Sequence, residues 1–151
     1  MGGLQIGQSL VDLAVAVFYE GCIGETLAAA LANEQLLVAV DEQARATLEW
    51  IAGDEAEHSL LAWRFLRHAV ELGGGEVVQR LRRALSEAPE HVAAPAAQLP
   101  PALWNYFGRL TPQQERGVVE ATWRDVIAPA TELLLQHGAE SHRNTERRAE
   151  A

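Results

Sequence analysis

Glu25, Glu55 and His58 are the residues of this sequence whose types and spacing could do chemistry. Glu55 and His58 stand three apart in Asp54-Glu55-Ala56-Glu57-His58, and residues three apart are neighbours on a helix surface. At alternating spacings of three and four, positions 44, 48, 51, 55, 58, 62, 65, 69 and 72 read Ala, Leu, Ile, Glu, His, Ala, Phe, Ala and Leu. Two ionisable groups therefore interrupt an apolar stripe. Glu25 interrupts a second such stripe, between Phe18 and Cys22 on one side and Ala29 and Ala32 on the other. Charges at core positions need a compensating partner. One glutamate on one helix and Glu-x-x-His on its neighbour, all facing inward, is half of the ligand set of a carboxylate-bridged dimetal site in a four-helix bundle. Carboxylates can bridge two cations, and a neutral imidazole adds a directional nitrogen donor suited to iron or manganese.

A short Glu-x-x-His match arises easily by chance. The signal lies in the conjunction of core positions with matching height. Residue 40 is midway between 25 and 55, so each glutamate lies about 15 residues, or roughly 22 Å, from a turn placed there. An antiparallel hairpin then brings all three side chains level. Competing readings are a semi-buried Glu–His ion pair, an interface, or a mononuclear site completed by water. The other candidates carry less. Glu57 points away from the motif face, and His68 falls off the stripe. Glu90-His91 lies in a proline-rich connection, and His137 and His142 belong to a helix end and a tail. Glu120 is followed three residues on by Trp123 rather than histidine. The four tryptophans have no recurrent spacing and read as packing residues.

The elements that must position these residues are helical throughout. No valine- or threonine-rich alternation appears, while alanine, leucine, glutamate and arginine dominate long segments. A first helix is predicted from about Leu4 to Ala39. Asp41 is the expected N-cap of a second, which Gly73, Gly74 and Gly75 should stop. A shorter covering helix is expected near residues 76–86, then an extended connection at 89–101 with Trp104, Tyr106 and Phe107 anchoring its far end. Thr111-Pro112-Gln113-Gln114 has the form of a capping box with proline at the first helical position. The last helix should reach about Gln136, bent at Pro129. The expected organisation is a hairpin at 1–75, accessory helices at 76–137 and a disordered tail at 138–151.

With 151 residues and 48% hydrophobic content the chain can bury one core. Its formal charge of -9 disfavours nucleic acid and anionic lipid as partners. No uninterrupted apolar run approaches the ~20 residues that span a bilayer, and the single cysteine, Cys22, forms no intrachain disulfide. A soluble cytoplasmic protein is the expectation.

Residues Tyr19 to Thr26, with the motif GCIGET, and Asp54 to Phe65, with DEAEHSLLAW, resemble the second helix pair of bacterial ferritin-like domain proteins. The likeness covers roughly residues 8–75. It implies an all-α ferritin-like hairpin with Glu25, Glu55 and His58 as metal ligands, Glu55 being the bridging carboxylate. Family members carry another glutamate and another Glu-x-x-His on a preceding helix pair, and this sequence has no second Glu-x-x-His. A homodimer, as in half-size encapsulated ferritins, would complete a four-helix bundle and a di-iron site; a different chain could supply the absent helix pair instead. The implied cofactor is iron, with manganese as a variant, and the implied chemistry is that of an oxidoreductase such as ferrous-ion oxidation or dioxygen activation. The alternative is a metal-free helical structural or interaction protein.

Overall fold

The computed structural model of the protein describes residues 9–90 and 106–149, the side chains of 90 and 141–149 excepted. Among them every regular element is helical. Helix α1 (Leu10–Val17) passes through a π-helical stretch (Phe18–Glu25) into α2 (Thr26–Val38). Helix α3 (Glu42–Glu87) runs back alongside and ends in a 3₁₀ turn (Ala88–Glu90). Helix α4 (Pro112–Thr122) leads through a second π-helical stretch (Trp123–Ile127) into α5 (Ala128–Ala149). Three long helical rods thus pack together, α3 touching both α1–α2 and α5 while α2 meets α4.

Local chemistry sets the ends of these rods. Ser9 caps α1 by accepting from the Asp12 amide, and Asp41 caps α3 by accepting from the Ala44 amide at 2.9 Å, as its position predicts. Thr111 and Gln114 form the expected capping box, with Pro112 at the start of the helix. At the hairpin turn, Arg45 donates to the Leu36 and Ala39 carbonyls, which α2 leaves without helical partners. The Val40 and Asp41 amides donate to the Tyr106 carbonyl. Thus backbone, rather than the exposed Tyr106 and Phe107 rings, ties the returning chain to the turn; Trp104 lies outside the described residues.

One core joins the three rods. Ala14, Phe18, Cys22 and Ile23 pack with Ala62, Leu66, Ala69, Val70, Val77, Val78, Leu81 and Ala84, and with Ile127 and Leu135. Phe18, Leu66, Leu81 and Ile127 are fully buried, each contributing about 1.5–3 kcal/mol of hydrophobic stabilisation. The segment expected to be an accessory cover after residue 75 is therefore continuous with α3 and shares its core. Of the three glycines expected to stop the helix, Gly74 alone takes a non-helical, positive-φ conformation (φ 56°, ψ -139°), producing a kink after which the helix resumes.

Two other expectations are corrected. The segment beyond Gly138, expected to be a disordered tail, is helical to Ala149. Gly138 is a packing residue, since a Cβ there would collide with Val70 and crowd Val78, and the alanine, glutamate and arginine that follow favour helix. The buried stripe of α3 is Ala52, Ser59, Ala62, Leu66, Ala69 and Val70. It shares Ala62 and Ala69 with the predicted stripe but replaces 51, 58 and 65 by the next position along the chain. His58 and Leu72 are exposed in consequence, because α3 is packed by α1–α2 on one side and α5 on the other.

The rod Leu10–Val38 is long and apolar enough, at a mean hydropathy of 1.4, to cross a membrane by length and composition. The predicted absence of an uninterrupted run of that length missed this, because Asp12, Glu20 and Glu25 break the run without lowering its average much. Core helices and signal sequences share that composition; the rod buries Ala14, Phe18, Cys22, Ile23, Ala29 and Ala32, and 28% of its apolar window is buried.

Candidate metal centre

Glu25 is the last residue of the first π-helical stretch, and Glu55 and His58 lie one turn apart on α3. The π turns, wider than α turns, bury Phe18, Cys22 and Ile23 between Ala14 of α1 and Ala29 of α2. The two rods also approach closely one turn before Glu25. A Cβ added to Gly21 would stand 2.5 Å from that of Ala62, so only glycine fits there. Short acidic side chains on the two helices can then reach each other.

One ligand atom each from Glu25, Glu55 and His58 lies within 4.8 Å of the other two. Three donors about 2.1 Å from a common ion stand about 3.4 Å apart at tetrahedral angles, so the side chains would have to draw together by about an ångström to close the set on a cation. His58 sits between two carboxylates, its Nδ1 3.9 Å from Glu55 and its Nε2 4.0 Å from Asp54. Its side chain is 55% exposed while that of Glu55 is 26% exposed. The cluster is thus an edge site, half-covered by the hairpin and open on the His58 side.

Electrostatics agrees with a site that wants positive charge. The hydrogen bond with Glu55 holds the Glu25 carboxyl above the usual carboxylate range, helped by burial and by the Glu55 and Asp54 charges, with His58 opposing. Two carboxylates that share space resist joint ionisation, and a cation between them would remove that resistance. The donor set, two carboxylates and one imidazole, suits hard to borderline divalent ions. Cys22, one turn before Glu25, is buried and outside the converging set, and burial pushes its thiol up to about 12.

The hairpin brings all three sequence-selected residues together and leaves the others apart. Glu57 is exposed, His68 faces Glu71 at 3.9 Å, and a His137 ring nitrogen lies 3.1 Å from the Leu133 carbonyl. Glu120 is on the surface of α4; His91 and the His142 side chain lie outside what is described. Trp50, expected to pack, is 71% exposed. Sequence reasoning missed Asp54, although its i, i+4 spacing from His58 was a readable signal. It also missed Thr26 and Ser59, whose hydroxyl oxygens meet at 2.6 Å directly behind the ligands, with the Trp63 indole donating to Thr26 at 3.3 Å. A groove of about 530 Å³ lies farther along, between α3 and α5, lined by Trp63, Val70, Leu133, Leu134 and His137. It contains none of the three candidate ligands.

Comparison with protein-family models, with curated proteins and with solved structures gives no match to this chain.

Proposed function

We propose that this chain is a ferritin-like metal-binding protein that holds iron or a related divalent ion through Glu25, Glu55 and His58. The observation that carries the proposal is the convergence of two carboxylates and an imidazole across a helical hairpin, within 4.8 Å of one another. Three protein donors leave room for more, and the proposed source of the remainder is a second copy of the chain. His58 opens onto an α3 face that continues through Ile51, Leu61, Phe65 and Leu72 at helical spacings, with Trp50 at its margin. Leu61 is 65% and Leu72 67% exposed, the kind of apolar surface that favours association. Two such faces related by a two-fold axis would place four glutamates and two histidines together, the donor set of a di-iron centre. Such a centre, when filled, supplies ferrous-ion oxidation or dioxygen activation. The protein's own part is to supply the donors and to hold the two helices in register.

The exposed apolar face also favours a second reading, a metal-free helical interaction protein. Metal content and solution mass separate the two. Protein purified after growth with iron is expected to contain about one metal ion per chain and to sediment as a dimer. A metal-free monomer would remove the first reading and leave the second.

A further inference from the structure

We infer that Thr26 and Ser59 are positioning residues of the metal centre: their hydroxyl pair, anchored by Trp63, fixes the height and rotation of α2 against α3 at the level of the ligands. The inference rests on the metal-binding reading above and adds to it the device that holds the donors together. Each hydroxyl follows a candidate ligand by one residue, Thr26 after Glu25 and Ser59 after His58. Backbone displacement at either hydroxyl is therefore displacement of a donor.

The Gly21–Ala62 contact sets how closely the two helices approach, and the hydroxyl pair adds a directional constraint to it. Gly21 and Ala62 present smooth, small surfaces that allow close approach, and apolar burial is non-directional. A hydrogen bond is directional and short-ranged. The Thr26–Ser59 pair is 2.6 Å long, so sliding one helix by a single residue, about 1.5 Å, would break it. Ser59 is 8% exposed, so water replaces a lost partner poorly and the penalty for slipping is the full cost of a buried unpaired hydroxyl. A hydroxyl has one proton and two acceptor positions. Thr26 can thus accept from the Trp63 Nε1–H and still share a proton with Ser59. That third member holds the Thr26 side chain in one rotamer and joins the pair to the partly buried indole. Residues behind metal ligands commonly act in this way, and their removal typically costs 10–100-fold in affinity.

The test is a cobalt(II) titration of the full chain, followed by its visible ligand-field bands, for the wild type and for Thr26→Val, Ser59→Ala and Thr26→Ser. The first two variants are expected to bind cobalt about tenfold or more weakly, with shifted bands and an unchanged helical circular-dichroism signal. Thr26→Ser, which keeps the hydroxyl, is expected to retain both affinity and spectrum. Wild-type affinity and bands in Thr26→Val and Ser59→Ala would overturn the inference while leaving the metal centre in place. A wild-type protein that takes up no cobalt would overturn the metal reading and this inference with it. Should the two variants not fold, Trp63→Phe decides: weakened cobalt binding supports the role of the hydroxyl pair, and unchanged binding overturns it.

Discussion

Gly21 lies against Ala62 where α1–α2 cross α3, and Gly138 lies against Val70 and Val78 where α5 crosses it. Both crossings use a missing side chain to bring two helices close, yet they bring together different groups. Before Gly138 the contact is apolar, with Leu135 buried, and its buried Thr131 hydroxyl bonds back to the Ile127 carbonyl of its own chain segment at 2.7 Å. Beside Gly21 the polar groups reach across the crossing instead: Thr26 to Ser59, Trp63 to Thr26, and Glu25 to Glu55. The α5 seam satisfies this buried hydroxyl locally, with a groove of about 530 Å³ open beside it. The hairpin seam gathers carboxylates that repel one another beside an exposed histidine, and its charge balance is left to whatever binds there. Two π-helical stretches differ in the same sense. Trp123–Ile127 precedes Pro129, whose ring cannot join a regular α turn, whereas Phe18–Glu25 ends on a candidate ligand.

The largest expected effect would break both crossings at once. Leu66 is fully buried in the core they share, and Leu66→Ala should lower the unfolding free energy by about 2–5 kcal/mol in urea denaturation; a loss below about 1 kcal/mol would mean that the seams do not rest on one core. Next come Gly21→Val and Gly138→Val, each expected to cost about 1–3 kcal/mol through overpacking. The comparison is sharpened by their cobalt affinities, which should fall for Gly21→Val and stay at the wild-type value for Gly138→Val. Equal losses would erase the distinction between the crossings.

A smaller effect is expected from charge. The Glu25 carboxyl is held above its ordinary value of 4.5 in the fold, so the folded state binds this proton more tightly than the unfolded chain. That contribution to stability is fully present below about pH 4.5 and is lost as the pH rises through the raised value. In metal-free protein, Glu25→Gln should therefore flatten the decline of melting temperature as the pH rises from 4.5 to neutrality, with a small gain in stability at pH 7. An unchanged pH profile would show that Glu25 and Glu55 do not burden each other. The smallest stability change is expected for His58→Ala, within about 0.5 kcal/mol for so exposed a side chain. Its cobalt binding should nonetheless weaken, and retention of wild-type affinity would remove His58 from the ligand set.

Much of this architecture was legible locally. The Asp41 cap, the Thr111 capping box and the hairpin that levels Glu25 with Glu55 all follow from short-range spacing, because caps and helical rise depend on neighbours in the chain. The glycines were legible only as glycines. Gly138 looked like a helix end and is a packing contact, while Gly73 to Gly75 looked like a stop and contain a kink at Gly74 alone. Thr26 and Ser59 gave no signal, since a hydroxyl pair between residues 33 apart exists only once two helices meet.

By itself the sequence determined that the chain is helical, where its main turn falls, and that two glutamates and a histidine reach the same height, because these depend on propensity, capping and a rise of about 1.5 Å per residue. Which side of α3 is buried was decided only by tertiary structure. Alanines and leucines around that helix satisfy two apolar stripes offset by a single position. Packing by α1–α2 and α5 together selects the stripe through Ser59 and Leu66, which turns His58 outward and makes the site an open edge rather than an enclosed core.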